Sequence, residues 1–257
     1  MTDLPRIMVA PNGARRTKAD HPHLPMTVED TVATAQACWK AGAGGLHAHV
    51  RDASGAHVLD AGLYRELLVE MARSCPDMQV QITTEAVGRY TPHEQRQLVR
   101  DVVPAAVSVS IREMLADGPV PDFYHWAREA GIAVQHILYG ADDIALLADE
   151  RTAGRIPDGP LQALIVLGRY TTGQYSDPET LAPLVAQLQT VAPAVDWAAC
   201  AFGQTETACL QRAFDLGGKA RVGFENNLHS AAGTLAPDNA ARVAEIAALR
   251  PKTDVQG

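Results

Sequence analysis

Short, continuous apolar runs alternate along this chain with longer segments whose apolar residues recur at helical spacing. The runs are Ile7–Ala10, Gly44–Asp52 around Leu46, Met78–Thr83, Ala105–Ile111, Ile132–Leu138, Leu161–Leu167, Asp196–Phe202 and Ala220–Glu225. A run that is apolar throughout, rather than at every second position, predicts a strand covered on both faces, as in a parallel sheet. The intervening segments carry helix signals. Thr27 is a predicted N-cap, with Glu29 and Asp30 in the first turn, for a helix through Val32, Ala35, Cys38 and Trp39 that stops at Gly42. Asp60 caps a helix through Leu63, Leu67, Leu68 and Met71, and Thr91-Pro92 opens the next. Further helices are predicted over Pro121–Glu129, Ala141–Glu150, Asp177 to about Val191, Thr205–Leu216 and Asp238–Leu249.

Eight such units in one α/β alternation predict a closed (β/α)8 barrel, a TIM barrel, forming a single domain over residues 1–257. The rival is an open, doubly wound sheet. It wants a G-x-G-x-x-G turn after its first strand, and Asn12-Gly13-Ala14 does not supply one.

Composition narrows the function classes. The length of 257 residues suits a barrel of about 250. Hydrophobic residues make up 47% of the chain, and no apolar stretch approaches the ~20 residues of a membrane span. Met1 to Arg6 lacks the pattern of a secretory signal, and the four cysteines lack C-x-x-C spacing, so buried reduced thiols in a cytoplasmic protein are expected. Cys200 alone stands near a strand end. The net charge of −8 and the absence of a basic tract argue against nucleic acid as a partner. An anionic substrate would need a local cluster of arginines.

In barrels of this kind the chemistry sits at the carboxyl ends of the strands. The polar residues expected there are Asn12 and Arg15, then His47, His49, Arg51 and Asp52, then Thr83, Thr84 and Glu85, with Ser108 and Ser110 on the fourth strand. His136, Tyr139, Arg169, Tyr170, Glu225, Asn226 and Asn227 follow on later strands. His47 and His49 are two residues apart, so an extended strand delivers both to one face. They form either a metal chelate or a pair hydrogen-bonded to neighbours. Glu225 ends an otherwise apolar strand, where a carboxylate is costly to bury without a cation, and it is the natural third ligand. Two imidazoles and one carboxylate on Zn²⁺ leave a coordination position open, the catalytic pattern.

The joint occurrence of His-Ala-His-Val-Arg-Asp with Ser54-Gly55 and Asp60, the Gly13-Ala14 loop leading to Leu24-Pro25-Met26-Thr27, and Arg221-Val222-Gly223-Phe224-Glu225-Asn226-Asn227-Leu228 resembles the β-keto acid cleavage enzymes. The resemblance runs from about Ile7 to about Leu249. It implies a zinc-dependent barrel that condenses a β-keto acid with acetyl-CoA and splits the product into acetoacetate and a new acyl-CoA. By motif match, His47, His49 and Glu225 would hold the zinc, Arg221 would be the active-site arginine, and Thr83 and Ser108 the hydroxyl positions. Homo-oligomers, commonly tetramers, are also implied.

Two positions depart from the family prototype, which takes an aminated substrate. Arg15 stands where the prototype has glutamate, and Asn226 where it has aspartate. Both changes remove negative charge, so Arg15 is expected to read an anionic or neutral polar substrate tail, with Asn12 and Asn226 also contacting substrate. Glu85 is the replacement candidate for general base, against the alternative of an exposed loop carboxylate. His21, His23, His57, His93, His125 and His229 are expected at the surface or in caps, and His136 in the core or lumen. Trp39, Trp126 and Trp197 are expected in packing, and Arg169 is a candidate to meet the anionic parts of coenzyme A.

Two other readings compete. An amidohydrolase-like hydrolase also uses H-x-H on a barrel, but on the first strand, with histidines on strands five and six and aspartate on strand eight. Only His136 agrees with that pattern. A non-catalytic zinc- or ligand-binding barrel is the other.

Overall fold

Eight parallel strands pair in chain order: β1 (Ile7–Val9), β2 (Gly45–Ala48), β3 (Gln79–Thr83), β4 (Ala106–Ser110), β5 (Ala133–Leu138), β6 (Gln162–Leu167), β7 (Asp196–Ala201) and β8 (Lys219–Val222). β8 pairs back onto β1, so the sheet closes into a (β/α)8 barrel and leaves no edge strand. This computed structural model describes residues 2–249; residues 1 and 250–257 of the expected domain lie outside the described residues.

Nine α-helices surround the sheet among the described residues: α1 (Val28–Lys40), α2 (Ala61–Ser74), α3 (Pro92–Val102), α4 (Ile111–Met114), α5 (Pro121–Glu129), α6 (Ala141–Thr152), α7 (Leu181–Val191), α8 (Glu206–Asp215) and α9 (Asn239–Ala247). Local chemistry sets several starts. Thr27 and Asp60 each accept a backbone N–H of the first turn, and Thr91 with Glu94 forms a reciprocal capping box. The extra helix, α4, corrects the expected fourth strand, which ends at Ser110. Ile111 and Met114, three residues apart, are both buried when the chain turns helical at once.

Alternate side chains of each strand serve two cores. The outward set, with Leu46, Ile82, Val107 and Ile165, packs against the helices in one continuous ring. The inward set of the later strands forms a smaller lumen cluster of Ile137, Leu164, Val166, Ala198, Cys200 and Phe202, closed below by Leu4. The N-terminal segment is tied across that end: Leu4 N–H donates to Asp196 Oδ2 at 2.6 Å, and Gln79 and Gln162 donate to the carbonyls of Asp3 and Thr2. The rest of the lumen is polar, with Gln81 of β3, Gln135 of β5 and Arg221 of β8 all buried.

Two expected strand ends are shorter than the sequence pattern suggests. β2 stops at Ala48, because the His49 carbonyl takes the Asn12 side-chain amide in place of a strand partner. β8 stops at Val222, and Glu225 lies in the turn beyond it. Gly223 makes that turn at φ +145°, where an added Cβ would stand 2.4 Å from the Ala10 carbonyl oxygen.

α8 and α9 are joined by a salt bridge with both partners fully buried, Arg242 Nη2 to Glu206 Oε2 at 2.7 Å. Removing one member of such a pair leaves an uncompensated charge. Arg242→Met is therefore expected to cost about 3–5 kcal/mol in chemical denaturation. Burial pushes the Glu206 carboxyl up to about 7. A carboxyl whose native value lies above its unfolded one costs stability as pH rises between the two, so the loss in Arg242→Met should be smaller at pH 5 than at pH 8.

Candidate functional site

At the carboxyl end of the barrel the structure brings His47, His49 and Glu225 together. The two Nε2 atoms are 3.3 Å apart, Glu225 Oε2 lies 3.7 Å from the first and 3.6 Å from the second, and one donor atom from each residue falls within 4.8 Å of the others. Two donors each about 2.0–2.1 Å from a tetrahedral zinc would stand roughly 3.3–3.4 Å apart. The spacing therefore fits a divalent cation. Glu225 Oε2 is buried with no hydrogen-bond partner, as a ligand oxygen held for a metal would be.

A relay fixes which His47 nitrogen is available. The Ala163 carbonyl can only accept, so Gln135 turns its NH₂ toward it at 3.3 Å and its oxygen toward Gln81 Nε2 at 3.1 Å. Gln81 Oε1 then accepts from His47 Nδ1 at 2.9 Å. That leaves His47 Nε2 unprotonated, an acceptor facing His49 Nε2 and able to serve as a ligand. Burial, reinforced by the Arg221 guanidinium, pushes His47 well below its usual value, so the imidazole is neutral and ready to ligate. For Glu225, burial would raise the carboxyl, but Arg221 and the two imidazoles outweigh it and hold the group well below the carboxylate range.

The loop after β1 shapes the other side. Gly13, at φ +60°, lies so close that an added Cβ would stand 2.6 Å from Glu225 Cγ. Arg51, from the His-x-His-Val-Arg-Asp motif, is buried and donates to the carbonyls of Asn12, Gly13, Arg16 and Gly55, pinning this loop against the metal-donor set. Arg51 is thus a clamp on the backbone. Asn12 donates to the carbonyls of Pro25 and His49.

A family model described as beta-keto acid cleavage enzyme matches residues 6–255. The chain belongs to the β-keto acid cleavage enzyme family. It is 30% identical over 253 residues to the 3-oxoadipate:acetyl-CoA acetyltransferase of Cupriavidus necator, covering 95% of this chain and 87% of that one. It is 26% identical over 245 residues to the 3-keto-5-aminohexanoate cleavage enzyme of Fusobacterium nucleatum, covering 92% and 88%. Among solved structures, a ternary complex of ObcA with a C4-CoA adduct and oxalate superposes with a TM-score of 0.70 at 17% identity, and this chain covers 88% of itself and 63% of that chain. The type I 3-dehydroquinate dehydratase of Clostridium difficile gives 0.60 at 11% identity over 96% and 93%. These structural likenesses establish the barrel.

Within this family member, the donor set faces a small chamber of about 20 Å³, which also receives Thr83, Glu85, Tyr139, Arg169 and Arg221. It shares Glu85, Arg169, Phe202 and Glu225 as walls with an outer cavity of about 200 Å³ that is also lined by Asn12, Arg15, Arg16 and Gln174. Arg221 reaches Glu225 Oε1 at 3.3 Å, while its Nε and Nη1 are buried without partners. Glu85 is paired with Arg169 at 3.0 Å, and its other oxygen lies 3.9 Å from His49 Nδ1. Ser108 is buried beside Thr83 in the strand register, with an unpartnered hydroxyl.

Other residues depart from expectation. Asn226 is fully buried and donates to Glu206 and to the Arg221 carbonyl, so it braces the end of β8 and lines neither chamber. His57, expected at the surface, is buried: the hairpin that pairs it with Arg51 folds it back against the His49 ring at 4.9 Å, its Nε2 on the Glu85 carbonyl. His21 is also buried, against Phe224. His136 points away from the lumen, which removes the feature that agreed with a hydrolase. Gln81 and Arg16 were not singled out by sequence reasoning. A polar residue two positions before a strand-end hydroxyl, as Gln81 is before Thr83, was the available signal for the first.

If Gln81 orients His47 for a metal, Gln81→Leu should weaken zinc binding about 10–100-fold in a chelator-competition titration. Affinity equal to the parent's would assign Gln81 to packing alone.

Proposed function

We propose that this chain is a zinc-dependent β-keto acid cleavage enzyme that takes an anionic β-keto acid and acetyl-CoA to acetoacetate and a new acyl-CoA. The observation that carries the reading is the convergence of His47 Nε2, His49 Nε2 and Glu225 Oε2 at ligand spacing in a chain of this family. The carbon balance is simple. The substrate's CH₂-carboxylate unit gains the acetyl group and leaves as acetoacetate, the bond to the old keto carbon breaks, and that carbon takes the coenzyme A sulfur as the new thioester.

A zinc ion held by these three side chains would supply Lewis-acid polarisation of the keto oxygen and charge stabilisation for the enolate. The chain's own groups do the rest. Arg221 offers two unpartnered N–H directions to a substrate carboxylate and steadies Glu225 through the third. Thr83 and Ser108 present hydroxyls to the developing oxyanion. Glu85, held in orientation by Arg169, is the carboxylate within the chamber placed to take the proton from the CH₂ carbon.

The outer cavity supports an anionic tail. Arg15, Arg16 and Arg169 all line it, against Glu85 and Glu225, and Arg15 is exposed where the prototype has glutamate. The 30%-identical relative is named for 3-oxoadipate, a dicarboxylic β-keto acid. Beside this cavity, and sharing Arg16 and Gln174 with it, lies an open cleft of about 440 Å³ bounded by Gly203, Thr205 and His229, which suits the arm of acetyl-CoA. The family resemblance supports a cytoplasmic homo-oligomer, a tetramer, built from one catalytic domain per chain.

With acetyl-CoA present, the zinc-loaded protein should convert 3-oxoadipate to acetoacetate, and chelation should abolish this until zinc is restored. Arg15→Ala should raise KM for the dicarboxylic acid about 10–100-fold, the worth of a charge-assisted hydrogen bond, and leave a neutral β-keto acid little changed. A strong preference for an aminated substrate, or turnover without the thioester, would sink the reading.

A further inference from the structure

We infer that a second binding site, for a small carboxylic acid with an apolar body, lies on the outer face of β5, behind the wall of the lumen. β5 alternates: Gln135 and Ile137 face inward, to the His47 relay and the lumen cluster, whereas Val134 and His136 face the helices. There they border a cavity of about 310 Å³ closed by Tyr124 and Arg128 of α5 and by Ile156 and Leu161 of the segment between α6 and β6. It shares no lining residue with the lumen chambers.

The polar atoms of this cavity are unusual for a helix-sheet interface. His136 and Tyr124 are 2% and 3% exposed, their rings lie 5.4 Å apart, and neither His136 Nδ1 nor Tyr124 Oη has a hydrogen-bond partner among the described residues. Two buried polar atoms left without partners, in side chains that line the same cavity, mark it for a polar guest. Burial pushes His136 down to about 3, so the imidazole is neutral and offers one donor and one acceptor.

Charge chooses the guest. Arg128 lines the cavity, its Nη1 on the Asp158 carbonyl, and Arg151, outside the lining but close enough to depress His136, has a buried Nη1 with no partner among the described residues. The carboxylates nearby are engaged or outside: Glu150 is held by Arg155 at 2.6 Å, and Asp158, 98% exposed at the mouth, is 3.9 Å from Arg151. A phenol hydroxyl, an imidazole N–H and guanidinium N–H groups form a donor-rich, cationic end that suits the two oxygens of a carboxylate. The walls of Val134, Ile156 and Leu161 suit an apolar body. A phosphate would leave those walls unused and set a dianion against a neutral imidazole.

The probe is benzoate, with benzyl alcohol as its neutral counterpart. Crystals soaked in 4-bromobenzoate should show an anomalous bromine peak between α5 and β5. In ligand-observed NMR titrations benzoate should saturate, benzyl alcohol should bind at least tenfold more weakly, and Tyr124→Phe should lose about five- to tenfold in benzoate affinity with an unchanged melting temperature. Should Tyr124→Phe melt early, the bromine position decides alone. Bromine confined to the lumen, equal affinity for the alcohol, or undiminished binding in a stable Tyr124→Phe would each overturn the site. None of these results bears on the reading of the lumen, which shares no residue with this cavity.

Discussion

Three electron-pair donors held within 4.8 Å of one another in a buried site repel unless a cation lies between them, and the carboxyl end of this barrel is built to keep them there. Two kinds of restraint hold the arrangement. Arg221 sets a guanidinium against Glu225, and the Gln135–Gln81 relay places the Nδ1 hydrogen of His47 on a glutamine oxygen so that Nε2 is unprotonated. Neither restraint satisfies Glu225 Oε2, which stays unpartnered. The protein thus holds three donors together at a cost in stability, a pattern expected of function rather than of packing.

The barrel makes this possible because it joins residues distant in sequence without long side chains. β1 lies between β2 and β8, so the passage of the loop that leaves β1 skirts both the His pair, at the His49 carbonyl, and Glu225. Gly13 permits that passage, and Arg51 secures it by collecting four carbonyls that the irregular backbone would otherwise leave poorly satisfied. The arginine of the His-x-His-Val-Arg-Asp motif therefore belongs to the site through the backbone it holds.

Much of this was legible in the sequence because it is local. Thr27, Asp60 and Thr91 cap their helices through the next few residues, and the continuous apolar runs follow from strands covered on both faces. His47, His49 and Glu225 were legible too, since a strand's two-residue period and a carboxylate at an apolar strand end are read without knowing neighbours. What was illegible depends on partners far away. His57 is buried because a hairpin folds it onto His49, Asn226 turns toward Glu206 of α8, and α4 begins where a strand pattern still runs on. None of these follows from the residue's own surroundings in the chain.

β5 shows the same limit in one strand. A histidine in an apolar run carries no mark of the face it will take, and one position decides between the lumen and the helical layer. Gln135, turned inward, finds a partner at each end of its amide and becomes a link in the relay to His47. His136, turned outward, meets Tyr124 and finds none for Nδ1. Since a buried polar atom costs the same on either face, the contrast is informative. Where the chain supplies both partners the group serves the fold, and an atom left open, like His136 Nδ1, is what the second site inferred above would draw on.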